Sequence, residues 1–238
     1  MTRLTSSVPE ASAERPVSRQ VLADHVYEAL VERLMDGRLQ PGAAVSIDGT
    51  ARDMDVSPTP VREALARLEH TGMVRRVALK GYRVAPAFTQ DDFAQLMEAR
   101  LVIEPANARL ACDRLTPETL AEIERSIEDL KSAPRGPSFT EFRDYLDADQ
   151  RLHQLIAGQA GNQFLLAAYN ALGGQLQRFQ LFSGVGITDA DFAIAEHQAI
   201  LDALRAGNPD AAAEAMAEHI RAVKARTIAD AAAVGGIH

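Results

Sequence analysis

Several residues on which whole classes of protein depend are scarce in this sequence. Its 238 residues include one cysteine, Cys112, no tryptophan and 5% aromatic side chains. A single cysteine excludes an intramolecular disulfide framework and a multi-cysteine zinc ribbon. No segment approaches the roughly 18 to 20 consecutive apolar residues that span a bilayer, and residues 1–16 lack the apolar stretch of a secretory signal. We therefore expect a cytoplasmic protein without a membrane partner.

Basic residues are outnumbered by acidic ones over the whole chain, but not in every part of it. The chain has 25 basic and 33 acidic side chains and a net charge of −8, which argues against a protein that coats nucleic acid with its whole surface. Residues 1–86 nevertheless carry +1, whereas residues 87–238 carry −9. Within 56–83, two acidic residues stand against six basic ones, namely Arg62, Arg67, Arg75, Arg76, Lys80 and Arg83. Either this short segment varies in charge by chance, or it is a patch that contacts phosphates.

The elements predicted before residue 86 follow one another in a diagnostic order. Apolar residues recur at helical spacing and then alternate as in strands, with Gly and Pro between the segments. The predicted elements are a flexible tail over 1–17, a helix from Ser18 to about Gly37, a short helix over Asp48–Met54, a helix over Pro58–Thr71, and strands over Met73–Leu79 and Tyr82–Val84. This order predicts a winged helix-turn-helix over 18–86.

The third of these helices has the features of one that enters a DNA groove. Ser57 is expected to cap it with its hydroxyl, and Pro58 fits the first helical position. Arg62 offers a forked donor for guanine or phosphate near the positive end of the helix dipole. Lys80 and Gly81 form the tip of the wing, where a cation and bare backbone can approach the neighbouring groove. The alternative for Arg62 is an ion pair with a neighbour one helical turn away.

The third helix and the residues that follow it carry a specific motif. It is the run Val56-Ser57-Pro58-Thr59-Pro60-Val61-Arg62-Glu63-Ala64-Leu65-Ala66-Arg67-Leu68-Glu69, followed by Gly72-Met73-Val74. This motif resembles the DNA-binding domain of GntR-family bacterial transcription regulators. The resemblance implies that Ser57, Thr59, Arg62, Lys80 and Gly81 face DNA. Two positions depart from the pattern: Pro58 stands where many members carry a base-reading Arg, and Asp48 where some carry an Arg. Operator preferences are therefore not transferred from those members.

The rest of the chain reads as helical throughout. The predicted helices are Thr89–Asp113, Thr116–Lys131, Phe139–Gly158, Gln163–Phe182, Asp189–Ala206 and Pro209–Ala231. Thr89, Thr116 and Thr188 are expected N-caps, and residues 132–138 are expected to be a linker. We predict a mainly α protein in which an all-α bundle of about six helices, over 87–232, follows the winged helix-turn-helix.

Polar residues occur on the apolar faces of three of these helices. Asp149 and His153 lie one turn apart on an apolar stripe, and His197 and His219 each share a face with apolar residues of a later helix. Burying such groups is costly unless something satisfies them, and a divalent metal would do so. The alternative is three core histidines that are hydrogen-bonded separately. The pattern does not distinguish Zn, Ni and Mn.

A second set of polar residues lies on one face of the helix Thr89–Asp113. Arg100, Glu104 and Asn107 fall within about 60° of one another at 100° per residue. One interpretation is a salt bridge between Arg100 and Glu104. The other is that Arg100 offers a bidentate site for the carboxylate of a ligand in the bundle.

Both sets resemble the FCD domain, the helical effector-binding domain of the FadR subfamily of GntR regulators. The matching positions are Glu98-x-Arg100-x-x-x-Glu104, Asp149-x-x-x-His153, Gly161-Asn162, Glu196-His197-x-x-Ile200-x-x-Ala203-x-x-x-Gly207 and His219-Ile220. The resemblance implies that Asp149, His153, His197 and His219 ligate a metal ion, and that the metal and Arg100 bind a small organic acid. Leu152 stands where Phe is usual, which is a conservative change in the core.

The expected function is that of a metabolite-responsive transcription regulator. The resemblance implies a repressor more often than an activator, and a homodimer that binds double-stranded operator DNA. One alternative is a metal-dependent enzyme with a DNA-binding head, for which Glu196 and Glu218 are the obvious acid–base candidates. Each is adjacent to a histidine and so points about 100° away from it, and the sequence has no HExxH motif. Another alternative is a metal that only stabilises the bundle.

Overall fold

The first region of the chain folds around three helices and a small antiparallel sheet. The computed structural model describes residues 19–78, 80–135, 139–182 and 190–234. The elements of this region are α1 (Arg19–Met35), β1 (Ala44–Val45), α2 (Ile47–Asp53), α3 (Pro58–His70), β2 (Val74–Val77) and β3 (Gly81–Val84). The strand order is β1-β3-β2, with Val45 opposite Tyr82 and Arg76 opposite the same tyrosine. This is the predicted winged helix-turn-helix, which we call the head.

The core of the head is formed where α1 and α3 pack against the sheet. Leu30 and Leu34 of α1, Leu65 and Leu68 of α3, and Met73 are almost completely buried. Burial of such side chains contributes about 1.5–3 kcal/mol each. The β1 strand was not predicted, because two residues are too few to show an alternating pattern.

The start of α3 differs from the prediction in one respect. Ser57 occupies the N-cap position with extended backbone, but its side chain makes no capping hydrogen bond. A capping oxygen accepts from the N–H of the second or third helical residue, and the third residue of α3 is Pro60, which has no N–H. The N–H of the second residue, Thr59, remains, and Ser57 is exposed at the helix start.

The second region is a bundle of six described helices. They are α4 (Gln90–Cys112), α5 (Pro117–Ser132), α6 (Phe139–Gln159), α7 (Gln163–Phe182), α8 (Ala190–Arg205) and α9 (Pro209–Val234). The predicted bounds differ from these by no more than three residues. Thr89 forms a capping box with Asp92, and Thr116 accepts a hydrogen bond from the Thr119 N–H, so both predicted caps are confirmed. The predicted tail, the Thr188 cap and residues 136–138 of the predicted linker lie outside the described residues.

The bundle core runs along α4 and α9, which pack against each other over much of their length, with α8 beside α9 and α5 beside α6. Phe93, Met97, Ile156, Ile200 and Ile220 are among its buried residues. None of the described helices is long and apolar enough to cross a membrane. The fold is therefore mainly α, with a winged helix-turn-helix head joined through residues 85–89 to an α-helical bundle.

Candidate functional site

Four side chains from three helices of the bundle converge on one point. Asp149 and His153 come from α6, His197 from α8 and His219 from α9, and one ligand atom from each lies within 4.8 Å of all the others. The three histidines are at most 3% exposed, whereas Asp149 is partly exposed. The structure thus brings together the four residues that the sequence predicted to share an ion.

The ring nitrogens at this point are short of partners. His197 Nε2 lies 3.3 Å from His219 Nε2 and 3.5 Å from Asp149 Oδ1. His153 Nε2 and His197 Nδ1 are buried without a hydrogen-bond partner among the described residues. Buried polar atoms are usually satisfied, and nitrogens that face one another at this distance fit a shared cation better than separate hydrogen bonds.

Carboxylates on neighbouring helices hold the outer nitrogens of two of these rings. His219 Nδ1 lies 2.9 Å from Glu196 Oε2, and His153 Nδ1 lies 2.6 Å from Glu104 Oε2. A carboxylate on Nδ1 sets the tautomer and orientation of a ligating histidine, so that Nε2 points inward. Glu196 is therefore directed at His219, and Glu218 is exposed.

Each of these carboxylates is in turn paired with an arginine. Arg226 donates to both oxygens of Glu196, at 2.6 and 2.9 Å. Arg100 Nε donates to Glu104 Oε1 at 2.5 Å, and Arg100 Nη2 lies 3.4 Å from Glu104 Oε2. The salt-bridge interpretation of Arg100 and Glu104 is the one observed. Both outer carboxylates are thus charge-compensated.

Burial controls the protonation of the inner groups. It lowers the pKa of His197 well below its usual value and also lowers that of His219, although Glu196 acts in the opposite direction. Burial alone would raise the pKa of Glu104, but Arg100 and His153 together hold that pKa below its usual range. The two histidines are consequently neutral at pH 7, which is the form that binds a metal.

A small cavity adjoins this cluster. Its lining includes Arg100, Asp149, His153, Tyr169, Gly173 and Leu176. Its volume is about 20 Å³, which holds about one water molecule. The buried Tyr169 lies with its hydroxyl 3.4 Å from the Gln150 carbonyl, and burial raises the pKa of that phenol. Arg100 and two of the predicted metal ligands therefore face the same space.

Three features of this region were not predicted from the sequence, namely Tyr169, Glu104 as the partner of His153, and Arg226. Arg226 follows His219 by seven residues, which returns to nearly the same face of a helix. That spacing was the available signal for Arg226. The approach of Glu104 to His153 depends on how α4 packs on α6, and no local pattern encodes it.

In the head, the residues predicted to contact DNA surround the start of α3 and the tip of the wing. Ser57, Arg62, Lys80 and Gly81 are exposed, and Thr59 is half-buried. Arg62 makes no hydrogen bond or ion pair with any residue that the structure describes, so the pairing alternative is not observed. Gly81 has φ +76° with open space around it, which suits glycine at a tight turn.

Two arginines of the predicted basic patch form hydrogen bonds within the head. Arg67 donates to Asp24 at 2.6 Å and lies 4.1 Å from the centre of the Tyr27 ring. Arg83 donates to the Gly42 carbonyl at 3.0 Å. The cations of the patch that are exposed and whose side chains make no hydrogen bond or ion pair with a described residue are therefore Arg62, Arg75, Arg76 and Lys80.

Comparison with known families agrees with this geometry. Residues 22–84 match the family described as bacterial regulatory proteins, gntR family, and residues 95–222 match the FCD domain. The chain belongs to the GntR family and carries an FCD domain. It is a transcription regulator with a DNA-binding head, and its domains and relatives are those of regulators rather than enzymes.

Similar proteins cover almost the whole chain. A protein of Paenarthrobacter nicotinovorans named probable D-xylose utilization operon transcriptional repressor is 30% identical, over 90% of this chain and 91% of its own length. The HTH-type transcriptional repressor RspR of Escherichia coli is 24% identical, over 88% of each chain. The solved structure of E. coli McbR/YncC has a TM-score of 0.68 at 22% identity, and covers 88% of this chain and 98% of that one. The last of these supports the fold alone.

Proposed function

We propose that this GntR regulator binds a divalent metal ion through Asp149, His153, His197 and His219, and takes up a small carboxylate beside it to change operator binding. The observation that carries the proposal is the convergence of the four ligand atoms within 4.8 Å, with His153 Nε2 buried and unpaired among the described residues. Three imidazoles and a carboxylate suit Zn²⁺, Ni²⁺ or Mn²⁺. The ion would supply a positive centre with open positions for an anion.

The charges around the cluster support an anionic ligand. Arg100 offsets Glu104 and Arg226 offsets Glu196, and imidazoles bind a metal in their neutral form. A divalent ion with Asp149 would therefore leave one net positive charge, which a monocarboxylate would cancel. Among the described residues, Arg100 Nη1 has only a weak 3.8 Å contact with the Met97 sulfur, so it retains donors for that carboxylate.

The operator side of the proposal rests on the exposed surface of the head. Ser57, Thr59 and Arg62 at the start of α3 would enter the major groove, with Lys80 and Gly81 beside it. A single winged helix buries little surface, so we propose a cytoplasmic homodimer on a near-palindromic site. The names of two relatives include the word repressor, and repression is the mode that we propose.

Elemental analysis of the purified full chain tests the metal site. The wild type should hold about one equivalent of metal per chain, and the double variant His197→Ala/His219→Ala should hold none. The matched control His25→Ala/His70→Ala removes two exposed histidines of the head and should keep the metal. Full occupancy in the first double variant would refute the site.

A thermal-shift screen of small carboxylates, with and without a chelator, tests the ligand. Hits that raise the melting temperature only with metal, and that then change operator binding, support the proposal. If chelation unfolds the bundle and no acid shifts the melting temperature of the metal-loaded protein, the metal is structural.

A further inference from the structure

The end of α3, the recognition helix of the head, lies unusually close to α7 of the bundle. Gly174 of α7 is buried, and a Cβ at this position would lie only 3.0 Å from both the Cα and the carbonyl oxygen of Thr71. Thr71 is the C-cap residue of α3. Its neighbour Gly72 lies under the side chain of Gln175, whose amide would clash with a Cβ on Gly72. The backbone of α7 at Gly174 therefore contacts the backbone at the end of α3 directly, with no side chain between them.

The residues of α7 on either side of this contact line the small cavity that adjoins the cluster of Asp149 and the three histidines. Gly173 and Leu176 line that cavity together with Arg100, Asp149 and His153, and so does Tyr169, one turn earlier on α7. Four consecutive residues of α7 thus touch the cavity and the end of the recognition helix at once.

The cavity is too small for an organic acid unless its lining moves, and α7 is part of that lining. About 20 Å³ holds about one water molecule, so an organic acid enters only if the lining moves. The wall formed by α4 and α6 is tied to the cluster by the Arg100–Glu104–His153 chain of contacts, whereas α7 contributes Tyr169, Gly173 and Leu176. A close-packed helix moves as a unit rather than deforming.

We infer that residues 173–176 of α7 couple occupancy of the cavity to the position of the recognition helix, through the contact of Gly174 and Gln175 with Thr71 and Gly72. A ligand that displaces α7 displaces the C-terminal end of α3, and the rigid helix carries that displacement to Arg62. This inference rests on the proposed function, because it assigns the route by which the metal and carboxylate change operator binding.

The test measures the ratio of operator Kd values with and without ligand. The probes are Zn²⁺ with acetate, against chelator, on full-length protein and on a DNA site selected with the wild type. A ratio of at least about fivefold is expected for the wild type. Gly174→Ala, which pushes the backbones apart, and Gln175→Ala, which removes the side chain over Gly72, should each reduce that ratio below twofold while keeping the Zn²⁺ affinity.

Gly158→Ala is the matched control. Gly158 lies in α6 with nothing within 4 Å of an added Cβ, so this variant should keep the wild-type ratio. Gly174→Ala and Gly158→Ala both raise helix propensity, so a loss of coupling confined to Gly174→Ala is not an effect of that propensity. Gln175→Ala removes the contact with Gly72 without forcing the backbones apart, and it serves where Gly174→Ala fails to fold.

The outcomes separate the two proposals. A wild-type ratio above fivefold that persists in both α7 variants would overturn the coupling route and leave the proposed function standing. A wild type that binds Zn²⁺ and acetate without any change in operator Kd would overturn the proposed function and the route together.

Discussion

The head and the bundle treat charged side chains in opposite ways. In the head, Arg62 and Lys80 point into water, and neither makes an ion pair within the described chain. In the bundle, Arg100 and Glu104 are at most 4% exposed, and each is bonded to the other. A surface that meets phosphates needs cations that are available, whereas a buried ligand site needs every charge compensated before the ligand arrives. The difference predicts large stability effects in the bundle and binding effects in the head.

Glu104→Gln should have the largest effect on stability. It leaves the Arg100 charge buried without its carboxylate and replaces the carboxylate that faces His153 with a neutral amide, and breaking one side of a buried pair costs about 3–5 kcal/mol. Urea unfolding of the full chain in chelator measures the loss. The control is Glu98→Gln, on the same helix, whose carboxylate is 67% exposed and paired with Lys224 at 3.0 Å; that change should cost under about 1 kcal/mol. Equal effects for the two variants would contradict the contrast.

The pH dependence of bundle stability should follow the buried histidines. Because burial lowers the pKa of His197 and His219 in the folded state, their contribution to stability is full above the unfolded-state pKa of about 6.5. Below that pH only the unfolded chain gains protons, so the unfolding free energy in chelator should fall by up to about 1.4 kcal/mol per pH unit for each histidine. Urea titrations between pH 7.5 and 5.5 measure this slope.

Two variants test the source of that slope. His197→Ala/His219→Ala should flatten it, whereas His25→Ala/His70→Ala should keep it, because both of the latter side chains lie in water. A slope that is unchanged in the first double variant would assign the pH dependence to other groups.

Arg62→Ala tests the head side of the contrast. If Arg62 reads a base, operator affinity should fall by about 1–3 kcal/mol, with little change in stability. Arg67→Ala lies on the same helix, but Arg67 is paired with Asp24 and packed on Tyr27, so its loss should lower the stability of the head more than the intrinsic affinity for DNA. Fluorescence anisotropy on a selected operator measures both variants. Unchanged affinity in Arg62→Ala would remove that residue from the DNA interface.

The same contrast explains how much the sequence could predict. Exposed residues at the start of α3 and helix caps such as Thr89 depend on neighbours a few positions away, and local pattern predicts them. The predicted Ser57 capping bond was wrong, and Pro60 removes one of the two N–H groups that Ser57 could have bonded. The cluster of Asp149 with three histidines followed from apolar faces, and its role as a metal site stays a prediction.

Contacts between helices were the part that pattern could not supply. Glu104 lies 2.6 Å from His153 across α4 and α6, and Gly174 lies against Thr71 between the bundle and the head. Each pair is more than 40 residues apart in sequence, so its meeting depends on the packing of whole helices. Such contacts determine how the site is oriented and connected, whereas the residue types of the site were visible beforehand.

Asn107 is the one member of the polar face of α4 that breaks the rule of compensation. It is 1% exposed, and neither its amide nitrogen nor its oxygen has a hydrogen-bond partner among the described residues. An unsatisfied buried polar group costs about 1–3 kcal/mol, so Asn107→Leu, of similar size, should raise the unfolding free energy by about 1 kcal/mol. Asn170→Leu, at an exposed position of α7, should change it by less than about 0.5 kcal/mol. A destabilised Asn107→Leu protein would mean that the amide is hydrogen-bonded in solution, and compensation would then extend to every polar residue of that face.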